Sequence, residues 1–364
     1  MLNKIIPIIT LVLFASCTTK NNEDNVERVL KPLEETELIS DMSQYVTSVD
    51  FLPVSNDIPL APIKKALITQ DGNMVLCDMA NQLVLLNKDG SVSKIADKGR
   101  AATEYSSLGD IALCGDYLMI LDNDKVKYFN LSDKNDIKVV DLPKGIPFDA
   151  IAPSGASGVF AYSAYPGIPQ EGETYLLYNV TPNNDYVPLL KQEDYTTTLF
   201  NISQSCNNDY FLRPQDSNHI FYKLTSSGIV PVYKIDFEEQ NIPSRYYYSV
   251  QEDMGKFMMS EYYKLPMELC QTKSHLFFHC CGPNAVDHNF IYSLNGKSGI
   301  HWISEQMDFI AKVIGADKEH IYVFYSTIDS TDSNVGVLTK YINQEFAKRS
   351  MTGESFIVKL KFKV

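Results

Sequence analysis

The chain has little of several things at once. It carries one tryptophan in 364 residues, and 32 lysines and arginines against 45 aspartates and glutamates, for a net charge of −13. An acidic body with no basic stripe repels phosphate backbones, which argues against DNA or RNA as a partner. Beyond residue 16, no apolar run approaches the roughly 20 residues that a membrane-spanning helix needs. The local marks of familiar chemistry are missing too: there is no Gly-x-Ser-x-Gly, no His-Glu-x-x-His, no phosphate-binding loop and no Cys-x-x-Cys. "PSGASG" (153–158) reads as a turn, and "DNDK" and "DSTDSN" lack the spacing and glycine of a calcium loop. "HCCGPNAVDH" gathers His279, Cys280, Cys281 and His288. Zinc wants four convergent ligands, however, and strand alternation splays His279 and Cys280 apart, so the stretch is read as strand plus loop and no metal site is assigned.

What is present begins with "IIPIITLVLFASCTTK". Lys4 precedes an apolar run from Ile5 to Ala15, and the small residues Ala15 and Ser16 stand just before Cys17. A positive start, a short apolar centre and small residues at the cut describe a secretory signal. With the cysteine, the pattern resembles a bacterial lipoprotein signal, although Phe14 stands where leucine is usual, with Leu13 beside it. That resemblance implies cleavage after residue 16, lipidation of Cys17 and attachment to the membrane through the N-terminal lipid. Position 18 is threonine rather than the aspartate associated with inner-membrane retention. The stretch from Lys20 to Asp24 is similar to surface-export signals of some Gram-negative lipoproteins. The expected location is the outer membrane, facing the periplasm or the cell surface. Residues 17–40 are polar and charged, so they are expected to be a flexible linker, with 41–364 forming the folded body.

The body repeats. In "NMVLCDMANQLVLLNKDGSVSKIA", strands at Met74–Cys77, Leu83–Leu86 and Ser91–Ala96 are joined by polar turns, and Asp89–Gly90 is a strong hairpin signal. The unit recurs five times, its leading strands beginning near Met74, Tyr117, Val159, Tyr210, Leu276 and Ile321. The sixth copy is read through "VGVLTKYI" to "SFIVKLKF". Spacings of about 40 to 50 residues, with one longer, signal a β-propeller. The expected fold is therefore all-β, a six-bladed propeller. The stretch "YVTSVDFLPV" (45–54) is available to close the ring by joining the last blade. The longer gap holds "IPSRYYYSVQEDMGKFMMSEYYKLPMELC", read as a helical or irregular insertion whose tyrosines either stack on a partner or pack the insertion onto its own domain. Asp78 and Asp122 end leading strands, where a carboxylate accepts N–H bonds from a turn.

Six cysteines remain beyond Cys17, an even number that allows disulfides in an exported protein, although Cys77 and Cys114 follow strand-like apolar residues and read as buried thiols. The stretch "VLCDMANQLVLLNKDGSVSKIADKGRAATEYSSLGDIAL" resembles a blade junction of the six-bladed β-propeller lipoproteins related to NHL-type propellers. Asp78, Asp89–Gly90, Gly99–Arg100 and Glu104–Tyr105 match, while residues 101–103 are Ala-Ala-Thr where that family has Gly-Pro-Gly. The resemblance makes Arg100, Glu104 and Tyr105 candidates for ligand binding. The functional expectation is a lipoprotein whose propeller binds a glycan, a peptide or a protein partner, with no cofactor. The alternative is a lactonase-, hydrolase- or lyase-like enzyme with a divalent cation in the central channel, as in gluconolactonase-like propellers. That alternative requires acidic or imidazole side chains from different blades to converge on the axis.

Overall fold

The computed structural model describes residues 26–364 except 165–172, 193–201, 205–208, 215–218, 227, 244, 249–252, 305–310, 327–335, 350, 352–354 and 364. Six antiparallel sheets follow one another along the chain. Blade one is built from Ile63–Ile68, Met74–Asp78, Leu83–Leu86 and Val92–Lys94. Blade two holds Ile111–Cys114, Tyr117–Asp122, Lys125–Asn130 and Ile137–Asp141. Blade three holds Ala150–Ser154, Gly158–Tyr162, Tyr175–Val180 and Tyr186–Lys191. Blade four holds Ile202–Gln204, Tyr210–Leu212, Ile220–Thr225 and Gly228–Ile235. Blade five holds Lys264–Gln271, His275–Cys281, Asp287–Ser293 and Gly299–Ser304. Blade six takes Ala311–Ala316, Ile321–Ser326 and Ser355–Phe362 from the end of the chain, and its outer strand, Val46–Pro53, from the beginning.

The first strands of successive blades touch in order, and blade six touches blade one, so the ring is closed. This is a six-bladed β-propeller. Each apolar core lies between neighbouring sheets: Val75 and Cys77 meet Ile111 and Ile120, for example, and Phe221 meets Phe278 and Phe290. A lone sheet would leave one face wet, and the ring removes that face. The second strands, sandwiched on both faces, are therefore apolar without alternation, as in "MVLCD" and "GVFAY", where every residue is buried. The recurring unit of the sequence corresponds to the second, third and fourth strands. The first strand, next to the axis, was not read as part of it.

Three segments depart from the sequence expectation. Residues 28–38, assigned to the flexible linker, form a strap: Arg28–Leu30 adds a parallel fifth strand to blade four and Thr36–Leu38 adds one to blade five. Leu30 is fully buried, and the Arg28 guanidinium donates to the carbonyls of Ser293, Leu294 and Gly296 in blade five. Thr36 Oγ1 lies 2.7 Å from His301 Nδ1. With Val46–Pro53, the N-terminal segment covers the outer edges of blades four, five and six in turn. Second, "KLPMELC" belongs to the first strand of blade five, not to the insertion before it. Its two register shifts, with Leu265 and Glu268 at positive φ, accommodate Pro266 and break the alternation. Third, Val337–Arg349 is a helix between two strands of blade six. Because the N-terminal strand supplies the fourth strand, this stretch is free to pack Leu338, Tyr341, Ile342 and Phe346 against the outer core, where Phe346 meets Phe51 and Phe356.

The described part of the insertion between blades four and five has its own small core. Ile242 and Phe257 are buried there, and Tyr246 packs edge-on against Tyr262. Tyr263 stacks on Phe237 at 4.6 Å. Cys77, Cys270, Cys280 and Cys281 are buried free thiols and Cys114 is a half-buried one, while Cys206 lies outside the described residues. Burial pushes the Cys77 thiol up to about 11.

The free edge of each first strand faces the axis, and its peptide groups need partners there. Among the described residues, three side chains supply partners to the first strands of blades one, two and three. The Tyr210 hydroxyl, from blade four, accepts from Leu113 N at 2.7 Å and donates to Leu113 O at 3.0 Å in blade two. The Gln204 amide, also from blade four, pairs with the N–H and C=O of Ile68 in blade one, across the ring. Asp110 accepts from Ile151 N of blade three at 2.9 Å and pairs with Lys65 of blade one at 2.7 Å. At the end where the first strands finish, the channel is thus bridged by the Tyr210 hydroxyl and the Gln204 amide.

Candidate functional site

At that same end, the seam between blades six and one opens into a groove of about 710 Å³. Its walls are the turn linking the first two strands of blade one (Thr69 to Gly72), the equivalent turn of blade six (Asp317 to His320), and Lys88, Tyr322 and Lys359. The blade-one turn closes through Gly72 N to Thr69 O at 2.9 Å and Thr69 N to Asn73 O at 2.9 Å. Gly72 has φ +82°, a region that costs other residues about 1–2 kcal/mol. A Cβ there would also sit 2.9 Å from Lys88 Cε, so the glycine gives the lysine stem room to cross the turn.

The carboxylates of the groove are already occupied. Asp317 Oδ1 accepts from Glu319 N and His320 N, both at 2.7 Å, and lies 3.2 Å from His320 Nδ1, while Oδ2 accepts from the Tyr322 hydroxyl at 2.6 Å. Burial raises the Asp317 pKa, but these donors outweigh it and hold the carboxyl below its usual value. The ionised carboxylate can only accept, so His320 carries a proton on Nδ1 and its Nε2 is left for other partners. Asp71 accepts from the Thr69 hydroxyl and from Asn73 Nδ2, and the Thr69 bond is the chief reason its pKa is lowered. Glu319 pairs with Lys361 at 2.7 Å. By contrast, Lys88, Lys318 and Lys359 form no ion pair among the described residues. Lys359 is half-buried, and its ammonium sits 5.6 Å from the centre of the Tyr322 ring. The arrangement presents fixed turns, pre-set acceptors and uncommitted cations to whatever enters.

The sequence-predicted site residues stand at the opposite end of the ring, in the connection from blade one to blade two. They do not converge on a cavity. Tyr105 is 2 % exposed and donates its hydroxyl to Asn81 O at 2.7 Å. Glu104 folds its carboxylate back onto its own exposed turn to accept from Ala101 N at 2.7 Å, and a Cβ on Gly99 would strike that carboxylate. Arg100 is exposed. The matching Gly-Arg and Glu-Tyr pairs thus build a self-closed turn in this chain. Cys17 lies outside the described residues. Asp78 and Asp122 hold turns as expected: Asp78 accepts from Ala61 N and Gln82 N, and Asp122 from Ser106 N and Ser107 N. The "HCCGPNAVDH" residues divide between faces: Cys280 and its buried cross-strand partner His288 share one, where His288 packs edge-on against Tyr263, while His279 approaches Glu268 at 3.4 Å. Among the described residues, no three His, Cys, Asp or Glu side chains gather as a metal site. No signal in the sequence marked the groove, because its parts come from opposite ends of the chain.

Comparison with known proteins settles the family. The DUF5128 profile, described as "6-bladed beta-propeller", matches residues 18–285. The chain belongs to this family. Among solved structures, this propeller is similar to a "Putative exported protein" of Bacteroides fragilis, at 15% identity and a TM-score of 0.70, over 92% of this chain and 99% of that one. Weaker likenesses include a streptogramin B lyase (11% identity, TM-score 0.43, 88% of this chain and 99% of that one) and YCF48 bound to a D1 peptide (9%, 0.44, 87% and 98%). These likenesses concern the fold alone. No curated protein matches the chain. Among the described residues, no helix is long and apolar enough to cross a membrane.

Proposed function

We propose that this propeller is the binding body of an outer-membrane lipoprotein anchored through Cys17, and that the groove between blades one and six is its ligand site. The observation that carries the reading is the groove itself. Its acceptors are locked by short hydrogen bonds to their own turns, so a ligand meets groups that need no reordering on binding. The closed ring holds those turns on adjacent blades at fixed separation, the usual division between rigid scaffold and binding loops. The leader pattern from Lys4 to Cys17 supports the anchor.

The two parts have separate tests. Cys17→Ser is expected to abolish lipid labelling and release the chain from the membrane fraction; unchanged labelling rejects the anchor. For the groove, the purified chain is screened against glycan and peptide arrays beside Gln70→Trp, which places an indole from an exposed turn residue into the groove. Binding to the unaltered chain that the tryptophan abolishes is the expected result. Binding that the tryptophan leaves intact rejects this groove as the site, and chemical turnover of a bound ligand favours the enzymatic alternative.

A further inference from the structure

We infer that the groove selects an acidic oligosaccharide, with Lys88, Lys318 and Lys359 receiving its carboxylate or sulfate groups. The inference rests on the groove being the ligand site and adds the chemical class of what enters. Its starting point is a local imbalance. The chain as a whole carries an excess of acid; some lysines elsewhere are paired, Lys65 with Asp110 and Lys127 with Asp122 among them, and others, such as Lys64 and Lys98, stand outside any ion pair among the described residues. What distinguishes the groove is that three such lysines face one enclosed space. Asp71, Asp317 and Glu319 are engaged by their own turns or by Lys361, while none of the three ammonium groups is in an ion pair among the described residues, the Lys88 charge acting on Asp71 only at longer range. Like charges facing one cavity repel one another, and a bound anion removes that cost.

Two of the three lysines are also positioned. Lys359 is half-buried with its ammonium over the Tyr322 ring, a cation–π contact that holds the head group in place. Lys88 crosses the turn at Gly72, where any side chain would displace it. Lysine is a point charge with three donors, suited to separated charges rather than to one planar bidentate group.

The remaining lining narrows the class. Dense phosphate would meet the carboxylates of Asp71, Asp317 and Glu319 as well as the lysines. A ligand with sparse charges and many hydroxyls uses both sets, the lysines for its anions, and Gln70 and His320 Nε2 for its hydroxyls. An acidic peptide would need apolar pockets for its side chains, and Ile68 and Ala316 are the aliphatic side chains in the lining.

The test measures binding of the purified chain to four probes: oligogalacturonate, dextran sulfate, neutral dextran and polyglutamate. The expected result is that one or both acidic sugars bind at least about tenfold more tightly than neutral dextran, with affinity falling as salt rises. Oligogalacturonate alone identifies the carboxylate as the recognised group; dextran sulfate alone identifies the sulfate. Lys88→Gln, Lys318→Gln and Lys359→Gln are each expected to weaken binding by roughly three- to tenfold, and Lys88→Glu with Lys318→Glu to abolish it. Lys88 and Lys318 are exposed, so these changes leave the fold intact. Equal affinity for neutral and acidic sugars, indifference to the lysine changes, or a preference for polyglutamate overturns the inference while leaving the groove as a site if Gln70→Trp still blocks binding. Binding that survives Gln70→Trp overturns the groove reading itself.

Discussion

The axis of the ring gives the sharpest stability prediction. Tyr210 is 2 % exposed, and its hydroxyl serves both peptide groups of Leu113, at 2.7 Å from the N–H and 3.0 Å from the C=O. Tyr210→Phe keeps the ring and removes one oxygen, leaving a buried donor and a buried acceptor without their partner. Each orphaned buried group costs about 1–3 kcal/mol. Allowing for relaxation at the axis, the expected loss is about 2–4 kcal/mol. Tyr105→Phe is the internal control, because its hydroxyl satisfies one carbonyl, that of Asn81, and about 1 kcal/mol is expected. Equilibrium unfolding in guanidinium, followed by fluorescence of Trp302, which is buried in blade five, measures both. A Tyr210→Phe loss below about 1 kcal/mol, or one no larger than that of Tyr105→Phe, would refute the claim that side chains must satisfy the inner strand edges.

Two other outcomes follow from burial. His219 and His288 are buried, and burial, assisted by Arg213 and His301 respectively, lowers each to about 4 from the ordinary 6.5. The unfolded chain takes up these protons first as pH falls, so stability is full above about 6.5 and declines down to about 4, by up to about 3 kcal/mol per histidine. His288→Leu should flatten the slope in that window, and an unaltered slope counts against burial as its cause. Leu30→Ala, at the fully buried anchor of the strap, should cost about 2–4 kcal/mol. Hydrogen exchange at Asp236, whose N–H donates to Leu30 O, should speed up, and unchanged protection would show that the strap does not depend on this side chain.

The fold was largely legible because the physical demand on each blade is local. A sheet packed on both faces needs an apolar second strand, and a hairpin needs residues that accept positive φ, so "MVLCD" followed by "NKDG" reports both. The first strands escaped notice for an equally physical reason. Those of blades one, five and six are interrupted by register shifts that break their alternation, and those of blades one and two are held in part by side chains from distant blades. The helix Val337–Arg349 stands where the repeating unit predicts a strand, because the N-terminal Val46–Pro53 supplies that strand instead. The strap was read as linker because three-residue strands carry too few residues to show a period.

The sequence by itself determined the blade count and the hairpins, since each depends on residues close together in the chain. The tertiary structure decided which polar groups meet. Thr69 and Lys88 join Asp317 and Lys359 only because ring closure brings the ends of the chain together, while Glu104 is taken up by its own turn and Tyr105 by the Asn81 carbonyl of blade one. Charge left over after such pairing is a property of the folded surface, and it is what gives the groove its character.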